Sequence, residues 1–538
     1  MIKFLKRVGL ATVASLMLFS CASNKMTRDD ANRAFVEEDY EAVETYLAAE
    51  NEDGDKVNYN LDEAMLLAVQ DMPKESAQML LDVYKQMQLL TGEMSVGDMM
   101  GAALGSEEAI KYSGPSYEFN MLDAMTGFNF IKLGDIDNAR AMMNRFYNDN
   151  KELLVKLSSD MAELAAESEK SSTSETTKTV MNVLEVAINL VVTSAGLPPL
   201  VPGFLTEVFL YPEELKSAVV DDSYGMSPFE FYLRAVLFAN NGDLDEAKRT
   251  LEAGKALFAE ETGSQIVKLY GDDSDFYDNM VAKFEETVSA IAGSATDGSI
   301  QVVTLADTIA QRESASNDRI VWAWPFPYTD KEGNPMLFNL NFHLTWPSVK
   351  ANDTVVKSVK VTVKDAAGAA VADSVESVLV EDFDNLVKHD AMVKAKGAYV
   401  RSVIRNISRK GTAFAPASVA ALTAVETVNQ AGVNPLTLLA LTKAIEGLQY
   451  AVDAIDNGEF SDERQCAFFP SKARAAGVVV PAGTYTVTVD YLNAAGEVIK
   501  TEDIPNVEVT AGVPSVVASS FINTGNIPLL PVEEEDAE

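Results

Sequence analysis

Thr484-Tyr485-Thr486-Val487-Thr488-Val489-Asp490-Tyr491 reads as a β-strand with one buried face. Tyr485, Val487, Val489 and Tyr491 alternate with Thr484, Thr486, Thr488 and Asp490, and side chains two residues apart share a face of a pleated strand. Asn493-Ala494-Ala495-Gly496 then turns the chain. The same design stands far upstream, where Val359, Val361 and Val363 alternate with Lys360, Thr362 and Lys364 before Asp365-Ala366-Ala367-Gly368. A third alternation sets Phe338, Leu340, Phe342, Leu344 and Trp346 against Asn339, Asn341, His343 and Thr345. Together they predict an antiparallel, sandwich-like β module. It is split in sequence, over 294–380 and 459–525, by a helical insertion over 381–458.

The half ahead of this module, 29–293, has a helical period. Gly127, Phe130 and Ala139 stand at the same offsets as Ala235, Phe238 and Ala247. Small residues let two helices approach, and the aromatic fills the groove between them. Gly134-Asp135 and Gly242-Asp243 each end one helix and begin the next, since glycine accepts left-handed backbone and aspartate caps a helix start. These residues resemble tetratricopeptide repeats. Weaker copies stand at Glu38-Asp39-Tyr40-Glu41-Ala42-Val43 and around Lys74-Glu75-Ser76-Ala77. Val43 and Ala77 are 34 residues apart, the period of that repeat, whereas Ala77, Ala139 and Ala247 do not keep it. The expected architecture is α+β: an irregular repeat-like helical solenoid, then the β module. Val180 to Ala195 is apolar, but Asn182, Glu185 and Asn189 recur in it at helical spacing, which fits a buried helix better than a membrane span.

The first residues carry an address. Lys3, Lys6 and Arg7 precede an apolar run from Val8 to Phe19, then Ser20 and Cys21. That is a signal peptide. Leu18-Phe19-Ser20-Cys21 resembles the lipobox of bacterial lipoproteins. The resemblance implies cleavage of 1–20, lipid on Cys21, a tether over 21–28 and an N-terminal membrane anchor. Ala22 stands where an inner-membrane retention signal often has Asp, so the resemblance favours the outer membrane, on its periplasmic face or the cell surface. Cys466 is the only other cysteine, so a lipidated Cys21 leaves no internal disulfide. The net charge of −38 excludes non-specific nucleic-acid binding. The tail 526–538 is acidic, with five carboxylates after Val532.

No catalytic constellation stands out. His343 and His389 belong to no metal-binding spacing, and neither a Gly-x-Ser-x-Gly elbow nor a phosphate-cradling loop occurs. Asp272, Asp273, Asp275 and Asp278 lack the glycine and terminal Glu of a calcium loop and read as a solvated helix start. No metal or cofactor is expected. The unusual local feature is basic: Lys388, Lys394, Lys396, Arg401, Arg405, Arg409 and Lys410 against Asp390 alone. Arg401, Arg405 and Arg409 recur every four residues, along one helix face. Such a ridge suits an anionic partner, or else pairs with the protein's own acids. Trp322 and Trp324 belong to an aromatic cluster with Phe326 and Tyr328, suited to contacting a partner or a sugar, or to packing between the two halves.

The whole chain resembles a family of uncharacterised bacterial outer-membrane lipoproteins with a repeat-like helical half and a β-rich half. The resemblance rests on Cys21, the Gly-Asp turns, Glu381-Asp382-Phe383-Asp384 leading to Arg401 and Arg405, Asp462-Glu463-Arg464, and Val478-Val479-Val480-Pro481-Ala482-Gly483-Thr484-Tyr485. The family often has a tryptophan just after its Asp-x-Arg segment, and here Cys466-Ala467-Phe468 follows. The resemblance implies architecture and address, not mechanism. The expected function is a non-enzymatic envelope scaffold that binds envelope proteins. The alternative is a module that binds carbohydrate or peptidoglycan of the cell wall.

Overall fold

The computed structural model describes residues 28–50, 56–91, 114–145, 221–329, 335–395 and 461–523, with the short runs 397–399, 401–403 and 405–406 and the single positions 112, 212 and 215. It is an α+β protein, helical in its N-terminal half and sheet-forming in its C-terminal half. Among the described residues, eight helices ahead of the strands come in pairs. α1 (Arg28–Val36) pairs with α2 (Tyr40–Glu50), and α3 (Lys56–Val69) with α4 (Pro73–Thr91). α5 (Ser116–Lys132) is followed by α6, over 136–145, and α7 (Pro228–Asn240) by α8 (Leu244–Phe258).

One turn joins every pair. Glu38, Asp71, Gly134 and Gly242 take left-handed backbone, with φ of 62°, 57°, 72° and 83°. In each turn two N–H groups reach back to the end of the first helix. Asp39 donates to Ala34 and Glu38 to Phe35; Met72 to Leu67 and Asp71 to Ala68; Asp135 to Phe130 and Gly134 to Ile131; Asp243 to Phe238 and Gly242 to Ala239. This pair of bonds satisfies carbonyls that a helix end would otherwise leave bare. Asp39, Asp135 and Asp243 then cap the second helix through their side chains. Ala139, Ala235 and Ala247 are fully buried. Ala247→Leu should therefore cost about 1–3 kcal/mol by overpacking. An unchanged denaturation midpoint would contradict a tight contact there.

The strands form two four-stranded sheets and one two-stranded ribbon. The first sheet has the order β10-β1-β7-β6, from β1 (Asp297–Thr308), β6 (Val378–Asp382), β7 (Pro470–Pro481) and β10 (Pro514–Phe521). The second has the order β5-β4-β8-β9, from β4 (Ser358–Lys364), β5 (Ala370–Glu376), β8 (Gly483–Leu492) and β9 (Val498–Val509). The ribbon is β2 (Gln311–Thr329) with β3 (Pro335–Lys350). Ile300, Val302, Val478 and Val480 share one apolar cluster with Val359, Val361, Val363, Tyr485, Val487, Val489 and Tyr491 of the second sheet. Val303, Leu305, Ala473 and Ala475, at alternate positions of β1 and β7, join the helices' cluster instead. β1 is therefore buried at every residue after Asp297.

The chain changes sheet abruptly. Ser377 alone links β5 to β6, and Ala482 alone links β7 to β8. The Tyr485 hydroxyl donates to the Pro481 carbonyl at 2.8 Å and fixes that corner. β9 reaches β10 through 510–513, where Gly512 has φ of 77° and donates to Asp297 at 2.8 Å. This last crossing corrects the expectation of a wholly antiparallel module. β10 runs parallel to β1, from Ser299↔Pro514 to Ala306↔Phe521. Its entry from the other sheet removes the hairpin that would have imposed an antiparallel direction. α5 and α7 lie against β10, and α9 (Phe276–Thr287) lies against β6 and β7. Gly477 permits the approach of α9, since a Cβ there would stand 2.3 Å from Thr287 Oγ1. Among the described residues no helix is long and apolar enough to cross a membrane.

Candidate functional site

Cys21 and Arg409 lie outside the described residues. Arg401 and Arg405 occupy helical positions within 397–406, which pack on the ribbon. There the Thr345 N–H donates to Ser402 Oγ at 3.0 Å, Asn406 Nδ2 donates to the His343 carbonyl at 2.7 Å, and the Tyr399 ring meets Trp346 edge-on. Of the two readings of the ridge, a partner's site or internal packing, the burial of Arg405 favours the second at that position. Arg405 is 1% exposed and Arg401 is half-buried. Lys394 is held by Asp390 at 2.9 Å. Trp322 and Trp324 fall on β2 opposite Leu340 and Phe338, and their side chains lie outside those described. His343 Nδ1 stands 2.7 Å from Asp318 Oδ1, and His389 is buried with its ring edge-on to Tyr224. Asp278 is taken by Lys255 at 2.9 Å. Among the described residues no group of three or more His, Cys, Asp or Glu could hold a metal ion.

What the fold does bring together is a buried polar junction between helices and strands. The stretch after Ser461 is fastened at nearly every residue. Ser461 N–H donates to Ser314 Oγ, and the Ser314 N–H donates to Glu463 Oε1 at 2.8 Å. Gln465 accepts the Arg312 N–H and donates to the Ala310 carbonyl at 2.9 Å. Cys466 N–H donates to Glu118 of α5, and Ala467 N–H to Asp62 of α3, both at 2.8 Å. Burial pushes the Asp62 and Glu118 carboxyls up to about 7, although these hydrogen bonds pull the other way. Burial likewise pushes the Cys466 thiol well up, with Asp62 and Glu118 beside it adding to the effect. Cys466 is 1% exposed and packs in the apolar cluster shared by the helices and the first sheet. Arg312 stands 3.7 Å from Asp390, which also accepts from the Tyr224 hydroxyl at 2.7 Å. Burial alone would raise Asp390, but Lys394 and Arg312 overcome it and hold this carboxylate below its usual range.

A second junction sits at the start of α7. Glu381 of β6 accepts the Phe229 N–H at 3.0 Å and the Ser227 hydroxyl proton, so a strand residue caps the helix. Burial raises Glu381 to about 8 despite those bonds. Glu230, one turn into α7, is fully buried, and neither of its carboxyl oxygens has a hydrogen-bond partner. Burial first, then Glu381 and Asp123, push it well above the ordinary range. Both junctions fasten helices to strands.

Among the described residues, a cleft of about 450 Å³ lies between α9 and the β6–β7 edge of the first sheet. Asp273, Asp275, Lys283, Glu286, Leu379 and Arg474 line it. Lys283 and Glu286 pair at 3.1 Å. Arg474 donates through Nη2 to the Lys357 carbonyl at 2.9 Å, while its Nε is buried without a hydrogen-bond partner. No protein-family model, no curated protein and no solved structure matches this chain. The cleft's chemistry therefore has to speak through its own groups. Arg474 offers a fixed cationic donor, and Asp273 and Asp275 offer acceptors, which suits a ligand carrying both kinds of polar group. Sequence reasoning weighed Asp273 and Asp275 against a calcium loop, read them as a solvated helix start, and missed Arg474. Arg474 sits in an alternating strand whose polar positions gave no hint of a cleft.

Proposed function

We propose that the protein is a lipid-anchored, non-enzymatic scaffold of the bacterial envelope. It is held on the outer membrane through Cys21 and offers its surface to envelope proteins. The recurrence of one turn in four helix pairs carries this reading. Stacked copies of a helix-turn-helix unit build extended binding surfaces, and the helical half is read as an irregular tetratricopeptide-like array. The two sheets and their common apolar cluster are read as a sandwich-like module. The cleft beside α9 lies where the helical half meets this module, and it is the place proposed for a partner's polar segment.

Cys21→Ser, combined with crosslinking in intact cells, tests the proposal. The substitution should abolish lipid labelling and membrane retention. A photo-crosslinking residue at Asn279, which also lines the cleft, should trap a discrete envelope protein, and Arg474→Glu should remove that adduct. Normal membrane retention of Cys21→Ser would sink the anchor. Association only with purified wall polymer would replace the scaffold by the carbohydrate-binding alternative.

A further inference from the structure

We infer that Glu230 of α7 and Glu381 of β6 form a proton-held latch: the start of α7 stays on β6 only while at least one of these two carboxyls carries a proton, and it lets go when both are ionised. The hydrogen bonds at this helix start are unusual. Ser227 is the N-cap, so Glu230 stands at the third helical position. A glutamate there ordinarily reaches back to the backbone N–H of the cap residue. Glu230 does not, and both of its carboxyl oxygens are buried without a hydrogen-bond partner. Glu381 has taken over the cap from the strand. One of its oxygens accepts the Phe229 N–H at 3.0 Å and the Ser227 hydroxyl proton. Its other oxygen, Oε1, is buried without a partner as well.

Both oxygens of Glu230 and one of Glu381 therefore lack a donor at a single helix start. An ionised carboxylate only accepts, so two carboxylates cannot satisfy each other. A proton on either turns it into a donor toward the other. The N-terminus of α7 carries roughly half a positive charge, which favours one carboxylate there but not two. Two like charges buried in one place are not both ionised.

Among the described residues, the neighbouring charges are already paired. α7 packs against α5, α8, β6 and β10. From α5 comes Asp123, which is held by Arg145 of α6 through Nε at 3.0 Å. From α8 comes Glu246, paired with Arg234 of α7 at 2.9 Å. From β6 comes Asp382, paired with Lys472 of β7, and its N–H donates to the Tyr270 hydroxyl at 3.1 Å. Phe383 meets the Phe229 ring edge-on, and Asp384 beside it accepts the Ala310 N–H at 2.7 Å. β10 has no titratable side chain. The proton is left as the group that neutralises the pair. Once released into water, both carboxyls ionise at roughly pH 4, so opening sheds protons and rising pH favours it. The latch ties the fourth helix pair to the first sheet, and its release frees that pair from β6.

Hydrogen exchange of the Phe229 amide in the full chain reads the latch directly, because Glu381 accepts that N–H. Protection is corrected for the pH dependence of chemical exchange itself. Between pH 6 and 8 it should fall about tenfold further in the wild type than in Glu230→Gln/Glu381→Gln, which keeps the side-chain shapes and has no proton to shed. Every other carboxyl is common to the two chains, so its effect cancels. Equal falls would overturn the inference. A second measurement begins with the wild type alone. With glutamate carrying carbon-13 at its side-chain carboxyl, the folded protein at pH 8.5 should keep the infrared band of a protonated carboxyl, and unfolding in urea should erase it. No such band in the folded chain overturns the latch, as does a band of undiminished strength in Glu230→Gln.

Discussion

Raising the pH from 5 to 8 should weaken the folded protein by several kcal/mol. Asp62 and Glu118 are raised to about 7, and Glu381 to about 8, by burial. A carboxyl with a raised folded pKa binds its proton more tightly when folded. Its contribution is fully present below the unfolded value near 4, and it is lost as pH rises through the folded value. Each pKa unit corresponds to about 1.4 kcal/mol, and local relaxation and water entry will reduce the sum. Asp390 and Asp462 act in the opposite sense. Burial would raise them, but Lys394 and Arg312 hold Asp390 down, and the Arg464 hydrogen bond holds Asp462 down. Their contribution is present above about pH 4 and fades below it. Stability should therefore peak on the acid side of neutrality. Glu230→Gln, which removes a buried proton-holding group with no hydrogen-bond partner, should flatten part of the alkaline slope. Denaturant midpoints at pH 5, 6, 7 and 8 check this, and a midpoint that climbs steadily to pH 8 contradicts it.

Gly254→Ala should cost on the order of 3 kcal/mol, although it adds one methyl group to a helix. A Cβ at Gly254 would stand 1.9 Å from Tyr277 Oη, 2.8 Å from its Cζ and 3.2 Å from Phe231 Cδ1. Tyr277 has no room to retreat: it is fully buried, packs on Phe258 and donates to the Leu251 carbonyl at 2.9 Å. Displacing the ring loses that hydrogen bond as well as the packing. Helix propensity alone would have favoured alanine, so the sign of the change is diagnostic. Tyr277→Phe removes the closest atom. The double variant should be more stable than the sum of the two single losses indicates. Strict additivity in thermal unfolding would show that the two residues do not touch.

Much of the fold was legible because it rests on local chemistry. The alternation around Tyr485 and around Val359 and the two Gly-Asp turns each fix backbone geometry within a few residues. Glu38 and Asp71 were harder to read, because they make the same left-handed turn without glycine. The parallel pairing of β10 with β1 was invisible, since nothing in Pro514–Phe521 records the direction of a partner some 200 residues away. The site was legible in pieces. Asp462-Glu463-Arg464 and Glu381-Asp382 stood out as motifs, and the structure makes both of them fasteners. Glu230 did not stand out. Ser227-Pro228-Phe229-Glu230 has the spacing of an ordinary capped helix start, and only the surrounding Phe229, Phe231, Tyr232 and Leu233 hint that the acid is buried. The Arg401–Arg405 spacing was real, but periodicity says which residues share a face and not what covers it.

The sheet pairing also orders events in time. β1 begins just past the middle of the chain, and its neighbours β7 and β10 lie more than 150 and 200 residues further along. Closing so long a loop is entropically costly and slow, so β1 must wait exposed until the last strand arrives. α5 and α7, which lie on β10, wait with it. During synthesis or secretion the first sheet would thus stay incomplete while some 200 further residues are made. A translation product broken before Pro514 would leave β1 with a bare edge and two helices without their floor. Such a fragment would offer proteases and chaperones an unpaired strand to seize. The eight residues of β10 would thus complete the first sheet only after the rest of its strands have been made.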